Sequence, residues 1–179
     1  LSCNQGCLGY VYRNLPGTCV VNPVAGREFE FPALTAAGRG AKRIAIAGGG
    51  PAGLEAARVA AERGHTVTLF EAADRLGGAM RLAGEAPHRD ELLLALDWWT
   101  GELTRLGVEV QLGTAIDPTD LPPGDALIWA VGALPAQTAV SRLRPHLVDG
   151  IPGAAKAPHG RDILAGRADL ILDREGGEE

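Results

Sequence analysis

The sequence predicts an α/β fold built on a parallel sheet, and three consecutive segments carry that prediction. Residues 44–47 are short, apolar and followed by glycines, as expected of a strand buried on both faces. A helix with an apolar face begins at Pro51, and residues 66–70 are rich in β-branched and aromatic side chains, which favours a second strand. Two strands joined by a crossover helix run parallel, so this unit predicts a parallel sheet.

The first long helix should present Leu54, Ala57 and Ala61 on one face. Proline is tolerated in a first helical turn, so Pro51 fits its start, and Gly64 fits its end. The apolar face predicts that this helix packs on the sheet.

A second helix is predicted over residues 88–106 and stops at Gly107. Its apolar positions step by four and three, at Leu92, Leu96, Trp99, Leu103 and Leu106. We expect Trp98 and Trp99 to pack this helix on the sheet.

Three further strands are predicted towards the end of the chain. Residues 108–112 alternate, as in a strand with one wet face, and residues 126–131 suit a buried strand. Residues 135–166 suit mixed loop, and residues 170–172 suit one more strand.

The chain divides into three parts by composition. Residues 1–40 form an irregular, cysteine-rich segment without a sustained period, and residues 41–134 hold the strand–helix pattern. Residues 135–179 form the third part, in which the strand–helix pattern does not continue. The chain opens with Leu1 and its only methionine is Met80, so we expect a piece of a larger protein.

Charge and hydropathy exclude some partners. The formal net charge is −5 and no run of Lys and Arg occurs, which argues against nucleic acid and against an anionic membrane surface. Asp97 interrupts the longest apolar stretch, so no membrane span is predicted.

The strongest chemical signal is a glycine-rich turn between the first strand and its helix. Gly48, Gly50 and Gly53 form the pattern G-x-G-x-x-G, and Pro51 and Ala52 begin the helix within it. This context is typical of a Rossmann-like dinucleotide site. The first glycine allows the tight turn, the second lets a pyrophosphate approach the backbone, and the third lets helix and sheet lie close.

Glu71 ends the second strand, where it should accept hydrogen bonds from both ribose hydroxyls of an adenosine. A carboxylate there repels a 2′-phosphate, which favours FAD, NAD or ADP over NADP. The alternative is a glycine-rich turn that binds nothing. A nucleoside-triphosphate loop is disfavoured because no G-K-[ST] triplet occurs.

The cysteines are clustered at the start of the chain. Cys3, Cys7 and Cys19 have the spacing C-x3-C-x11-C, which indicates metal ligands rather than disulfides and favours a cytoplasmic protein. Zinc would need a fourth ligand, and the nearest histidine, His65, is distant. A four-iron cluster would need a fourth cysteine. Three unliganded thiols remain the alternative.

Two runs in this segment resemble the cluster-binding linker of a known family. They are L-S-C-N-Q-G-C at residues 1–7 and C-V-V-N-P-V-A-G-R-E at residues 19–28. The family is the old yellow enzyme-like multi-domain NADH:flavin oxidoreductases, which includes 2,4-dienoyl-CoA reductase and trimethylamine dehydrogenase. In the reductase branch the pattern is C-x2-C-x3-C-x11-C, so its first cysteine would fall just before Leu1. The resemblance covers most of residues 1–133. Beyond them, residues 135–179 are similar to the family's connecting segment and the start of a second nucleotide-binding unit, here truncated.

The resemblance implies cofactors and site residues. Arg75 and the backbone near Gly77 and Gly78 would lie over an FAD, and the turn at Gly132 would pass it. Val131 replaces the usual threonine there. A 4Fe-4S cluster on the three cysteines would relay electrons to FMN on an N-terminal barrel, with NAD(P)H as the reductant.

Three functions are open at this point. The parent is a reductase of an unsaturated substrate, or an amine dehydrogenase whose pocket holds structural ADP, or a non-catalytic dinucleotide-binding module. The Cys spacing and the turn at residues 50–53 favour the first, whereas Ala79, where reductases often carry Gln, departs from it. No catalytic residue is predicted in this chain, and each of the four histidines is expected at the surface: His65, His88, His146 and His159.

Overall fold

A computed structural model of the chain describes residues 3–30 and 40–133. It confirms the α/β class: four parallel strands and four helices occupy this part, in one compact unit that ends at Gly132. The elements are α1 (Leu8–Val11), β1 (Arg43–Ala47), α2 (Pro51–Glu62), β2 (Thr66–Phe70), α3 (Gly78–Gly84), α4 (Glu91–Arg105), β3 (Glu109–Gln111) and β4 (Ala126–Trp129).

The strands lie in the order β3-β2-β1-β4. Ile46 of β1 is in register with Leu69 of β2 and with Ile128 of β4. All pairs are parallel, so the carboxyl ends of β1, β2 and β4 meet at one edge of the sheet. In open α/β sheets this edge is where ligands bind.

The core fills the space between the sheet and the helices on it. Its largest fully buried side chains are Ile46, Leu54, Leu69, Leu96 and Leu103. Helix α2 packs on β1 and β2, and α4 packs mainly against α2 and α3. In α2 the predicted Leu54 and Ala57 are buried together with Ala60, whereas the predicted Ala61 is only partly buried.

The prediction for the two tryptophans is half wrong. Trp99 is buried and contributes to the core, whereas Trp98 is half exposed, with the Arg58 guanidinium 5.7 Å from its ring centre. The inward face of α4 is Leu96, Trp99 and Leu103, at steps of three and four, and adjacent residues on a helix do not share a face.

The region before α4 also differs from prediction. The helix begins at Glu91 rather than at residue 88, because His88 has a φ of 60° and that left-handed conformation cannot belong to an α-helix. A short helix that was not predicted, α3, occupies Gly78–Gly84.

Strand β4 is shorter and more exposed than predicted. It ends at Trp129 rather than at residue 131, and the Trp129 side chain is 47% exposed. Within the described ranges β4 pairs only with β1, so it forms an edge of the sheet. Strand β3 is confirmed with narrower bounds, and its Glu109 is exposed as expected.

The cysteine-rich segment is loop-rich as predicted. Over residues 3–30 it contains one single-turn helix, and Gly6 is its only buried residue. The predicted loop at 135–166 and strand at 170–172 lie outside the described residues. In the part that the structure describes, every helix is too short or too polar to cross a membrane.

Candidate functional site

The glycine turn begins where β1 ends. Gly48 has a φ of 104°, which is open to glycine but strained for other residues, and its N–H donates to the Phe70 carbonyl at 2.8 Å. A Cβ at this position would overlap the carbonyl oxygen of Ala130. Gly48 is therefore required by both conformation and space, as the motif predicts.

Gly53 brings the helix against that turn. A Cβ here would overlap the Gly48 carbonyl oxygen and would lie 3.5 Å from the Ala130 methyl group. The close approach of helix and sheet that the motif predicts for this glycine is confirmed.

Gly50 is different, because space opens beside it. A Cβ at Gly50 would meet no atom within 4 Å, and the backbone there is extended, with a φ of −77°. The free space lies directly before the first turn of α2, at the position where the motif places a pyrophosphate. The residues present therefore fit a bound diphosphate.

The start of α2 supplies donors for such an anion. Pro51 has no N–H, and the N–H of Leu54 is the first that bonds back, to the Gly50 carbonyl at 2.9 Å. Among the described residues nothing accepts from the N–H groups of Ala52 and Gly53. Unpaired N–H groups and the positive end of the helix dipole both stabilise a phosphate.

Glu71 lies beside the same turn. One oxygen of its carboxylate accepts from the Gly49 N–H at 2.6 Å, and the other accepts from the Ala73 N–H at 2.8 Å. Each carboxylate oxygen keeps a further lone pair, so two backbone bonds do not exhaust this side chain. Its contact with a ribose stays a prediction.

A second glycine turn closes over the first. The Gly77 N–H donates to the Gly49 carbonyl at 2.8 Å, and a Cβ on Gly78 would stand 3.3 Å from the Gly50 Cα. The turn at 77–78 thus forms a wall of the space in front of Gly50. Gly78 is placed at the site by contact with the glycine turn itself.

Two residues of this wall were missed by sequence reasoning. A Cβ on Gly49 would lie 2.6 Å from the Leu76 Cδ2 atom, so these residues are in tight contact. Arg81 donates from Nε to the Leu76 carbonyl at 2.6 Å and packs on Gly77. In the sequence, the only sign of a role for Arg81 is its position as a basic residue three positions after the Gly77–Gly78 pair.

Arg75 has a partner outside the site. Its guanidinium lies 3.4 Å from the Glu85 carboxylate, and its side chain is 61% exposed. Gly132 follows β4 with a φ of 75°, and a Cβ there would meet nothing within 4 Å. The residue after β4 that contacts the glycine motif is Ala130, which lies against Gly48 and Gly53.

The three cysteines are all free thiols. Cys7 is exposed, and Cys3 and Cys19 are partly exposed. The Thr18 N–H donates to the Gly6 carbonyl at 2.9 Å, which ties the backbone beside Cys19 to the backbone beside Cys7. Even so, no group of three His, Cys, Asp or Glu residues in the described ranges is arranged to hold a metal ion. The donor types suit a thiolate-bound metal, and the role of the three cysteines as ligands stays a prediction.

A family model described as an NAD(P)-binding Rossmann-like domain matches residues 46–95. That range contains the glycine turn, Glu71 and the turn at residues 77–78, which are the parts that the fold brings together.

Relatives extend the similarity to the cysteine-rich segment. The chain is 46% identical to N,N-dimethylglycine/sarcosine dehydrogenase of Chromohalobacter salexigens over 72% of this chain and 19% of that protein. It is 37% identical to NADH oxidase of Thermoanaerobacter brockii over 98% of this chain and 26% of that protein.

A solved structure shares the fold. It is a 2-naphthoyl-CoA reductase in complex with 2-naphthoyl-CoA, with 29% identity and a TM-score of 0.79 over 94% of this chain and 24% of that one. The chain thus spans about a quarter or less of the length of the proteins that it matches. Together with the glycine turn and its surroundings, these matches show that the chain belongs to the old yellow enzyme-like multi-domain NADH:flavin oxidoreductase family.

Proposed function

We propose that this chain is the dinucleotide-binding part of an NAD(P)H-dependent flavin oxidoreductase and that its glycine turn holds the diphosphate of FAD. The observation that carries the proposal is the open space at Gly50, bounded by Gly78 and facing the unpaired N–H groups of Ala52 and Gly53. A diphosphate is the group whose charge and size suit that space.

The position of the Glu71 carboxylate supports the proposal that the adenosine of the cofactor lies beside the glycine turn. With both oxygens bonded to backbone N–H groups, it is held in place beside the glycine turn. Its negative charge disfavours a 2′-phosphate, so the resident nucleotide is FAD rather than NADP. Gly132 and Arg75 complete the proposed set, as the similarity to the family implies.

The cysteine-rich segment is proposed to carry a 4Fe-4S cluster on Cys3, Cys7 and Cys19, with a fourth ligand from outside the described residues. The spacing of the three thiols and the similarity to relatives over this segment support the proposal.

FAD and the cluster would supply electron transfer to FMN elsewhere in the parent protein. The residues of this chain bind and orient them, and none acts as an acid, base or nucleophile. Substrate chemistry therefore belongs to another part of the parent, which we propose to be a cytoplasmic reductase of a small unsaturated compound.

A second candidate is an amine dehydrogenase with structural ADP in the same site. The relative at 46% identity, which is named N,N-dimethylglycine/sarcosine dehydrogenase, favours it. Both candidates use the diphosphate site identically, and they differ only in whether a second flavin is present.

Anaerobic purification of the protein with its upstream sequence separates these candidates. Flavin and iron absorbance that bleaches with NAD(P)H supports the reductase. Iron absorbance with released ADP and one flavin supports the amine dehydrogenase. Colourless protein that binds adenosine nucleotides would leave a non-catalytic module and contradict both.

A further inference from the structure

A small cavity lies between the cysteine-rich segment and the start of the nucleotide helix. It measures about 220 Å³. Its walls include Val20 and Val21 from the cysteine-rich segment, Pro51, Ala52 and Glu55 from α2, and Trp99 from α4. Val21 also packs against the core, so this contact anchors the segment on the domain.

The domain side of this cavity is braced by a polar network. Trp99 is 3% exposed, and its indole N–H donates to the Glu55 carboxylate at 2.9 Å. Arg58 donates two hydrogen bonds of 2.8 and 2.9 Å to the same carboxylate and one of 2.8 Å to the carboxylate of Glu62. These bonds raise the pKa of the Arg58 guanidinium above its usual value. Glu55 is thereby fixed by donors from both helices.

The wall shares residues with the diphosphate site. Pro51 and Ala52 line the cavity and also form the first turn of α2, where we place the diphosphate. On the other wall only Val20 separates Cys19 from the anchored Val21. The cavity therefore places Cys19, two residues before Val21, across from the first turn of α2.

We propose that Trp99 is a positioning residue that seats the Cys19 segment against the first turn of α2, so that nucleotide binding restrains Cys19. This inference rests on the proposed function, because it needs a nucleotide at the turn. The coupling is the difference between the nucleotide-free and the nucleotide-bound chain in the free energy that holds the segment around Cys19 against α2. By linkage, a seated segment raises nucleotide affinity by the same factor.

Pulsed alkylation of the iron-free chain tests this proposal. Iodoacetamide is applied with and without saturating ADP, and the modification of each cysteine is read by peptide mass, while calorimetry measures ADP binding separately. We expect ADP to slow modification of Cys19 about fivefold, the lower end of typical coupling, and to leave the exposed Cys7 unchanged.

Trp99→Phe should abolish the protection of Cys19 and, by the same linkage, weaken ADP binding by no more than about fivefold. It keeps an aromatic ring but removes the N–H that holds Glu55. Trp98→Phe is the matched control, since Trp98 is half exposed and does not line the cavity, and it should keep full protection. If Trp99→Phe fails to fold, Val21→Ala tests the same contact from the other wall and should reduce the protection.

Two results would overturn the proposal. Equal modification of Cys19 with and without bound ADP would show that the segment is not coupled to the site. Full protection in folded Trp99→Phe or, where that variant does not fold, in Val21→Ala would show that this wall of the cavity does not position the segment. Absence of ADP binding in the wild type would instead overturn the proposed function, and this inference with it.

Discussion

The Gly49 N–H donates a 2.6 Å hydrogen bond to the carboxylate of Glu71, so the acid at the end of β2 holds the glycine turn at the end of β1. The other carboxylate oxygen accepts from Ala73. Glu71 thus holds the glycine turn in place and also faces the proposed ribose. A substitution of Glu71 should therefore change both the stability of the fold and the preference among nucleotides.

Glu71→Gln should lower the free energy of unfolding by about 1–3 kcal/mol, because the amide group turns a donor towards one of the two N–H groups and leaves it unpaired. Urea unfolding measures this. Asp97→Asn, at an exposed position of α4, is the control and should be neutral. A neutral Glu71→Gln would contradict the structural role.

The charge of Glu71 should also set nucleotide preference. We expect the wild type to bind ADP-ribose more tightly than its 2′-phosphorylated form, and Glu71→Gln to narrow the difference because it removes the repelling charge. Calorimetry with both ligands checks this. An unchanged ratio in the variant would place the ribose away from Glu71.

Gly53→Ala should unfold the site region, because its Cβ overlaps the Gly48 carbonyl oxygen. The expected loss of stability is about 3 kcal/mol, the upper end of the usual cost of overpacking. Gly50→Ala is the matched control, since its Cβ enters open space on backbone that alanine adopts. Equal urea midpoints for the two variants would refute the close approach of helix and turn.

Asp125 should contribute to acid sensitivity. Its carboxylate accepts from the Arg43 N–H at 2.7 Å, and this bond lowers the pKa of the carboxyl. A lowered pKa in the folded state means stability that is present above the unfolded-state pKa and lost as pH falls through the folded-state pKa.

Asp125→Asn keeps an acceptor for Arg43 but cannot titrate. Its urea midpoint should therefore fall less steeply than that of the wild type below about pH 4, the ordinary value for an aspartate. Parallel profiles of midpoint against pH would show that Asp125 does not take part.

Much of the fold follows from local patterns. The strands at Arg43–Ala47 and Thr66–Phe70 and the helix between them were predictable because glycines mark their ends and their periodicity is clear. The roles of Gly48 and Gly53 follow from the same motif, and the structure shows the overlaps that require glycine there.

What was missed depends on contacts between distant parts of the chain. No pattern within one segment shows that Leu76 packs on Gly49 or that Trp99 reaches Glu55. The exposure of β4 is set by its neighbours in the sheet, not by its own apolar sequence. The spacing of Cys3, Cys7 and Cys19 indicates ligand types, but their arrangement depends on the fold of the loop.

The central claim is that the backbone at residues 48–53 holds a diphosphate, and calorimetric titration of ADP into the wild type and Gly50→Val tests it most directly. Gly101→Val is the control, because Gly101 lies in α4 and its added side chain also enters open space. We expect the wild type and the control to bind ADP, and Gly50→Val to bind none while its circular dichroism spectrum stays unchanged. Equal ADP affinity in all three proteins would contradict it.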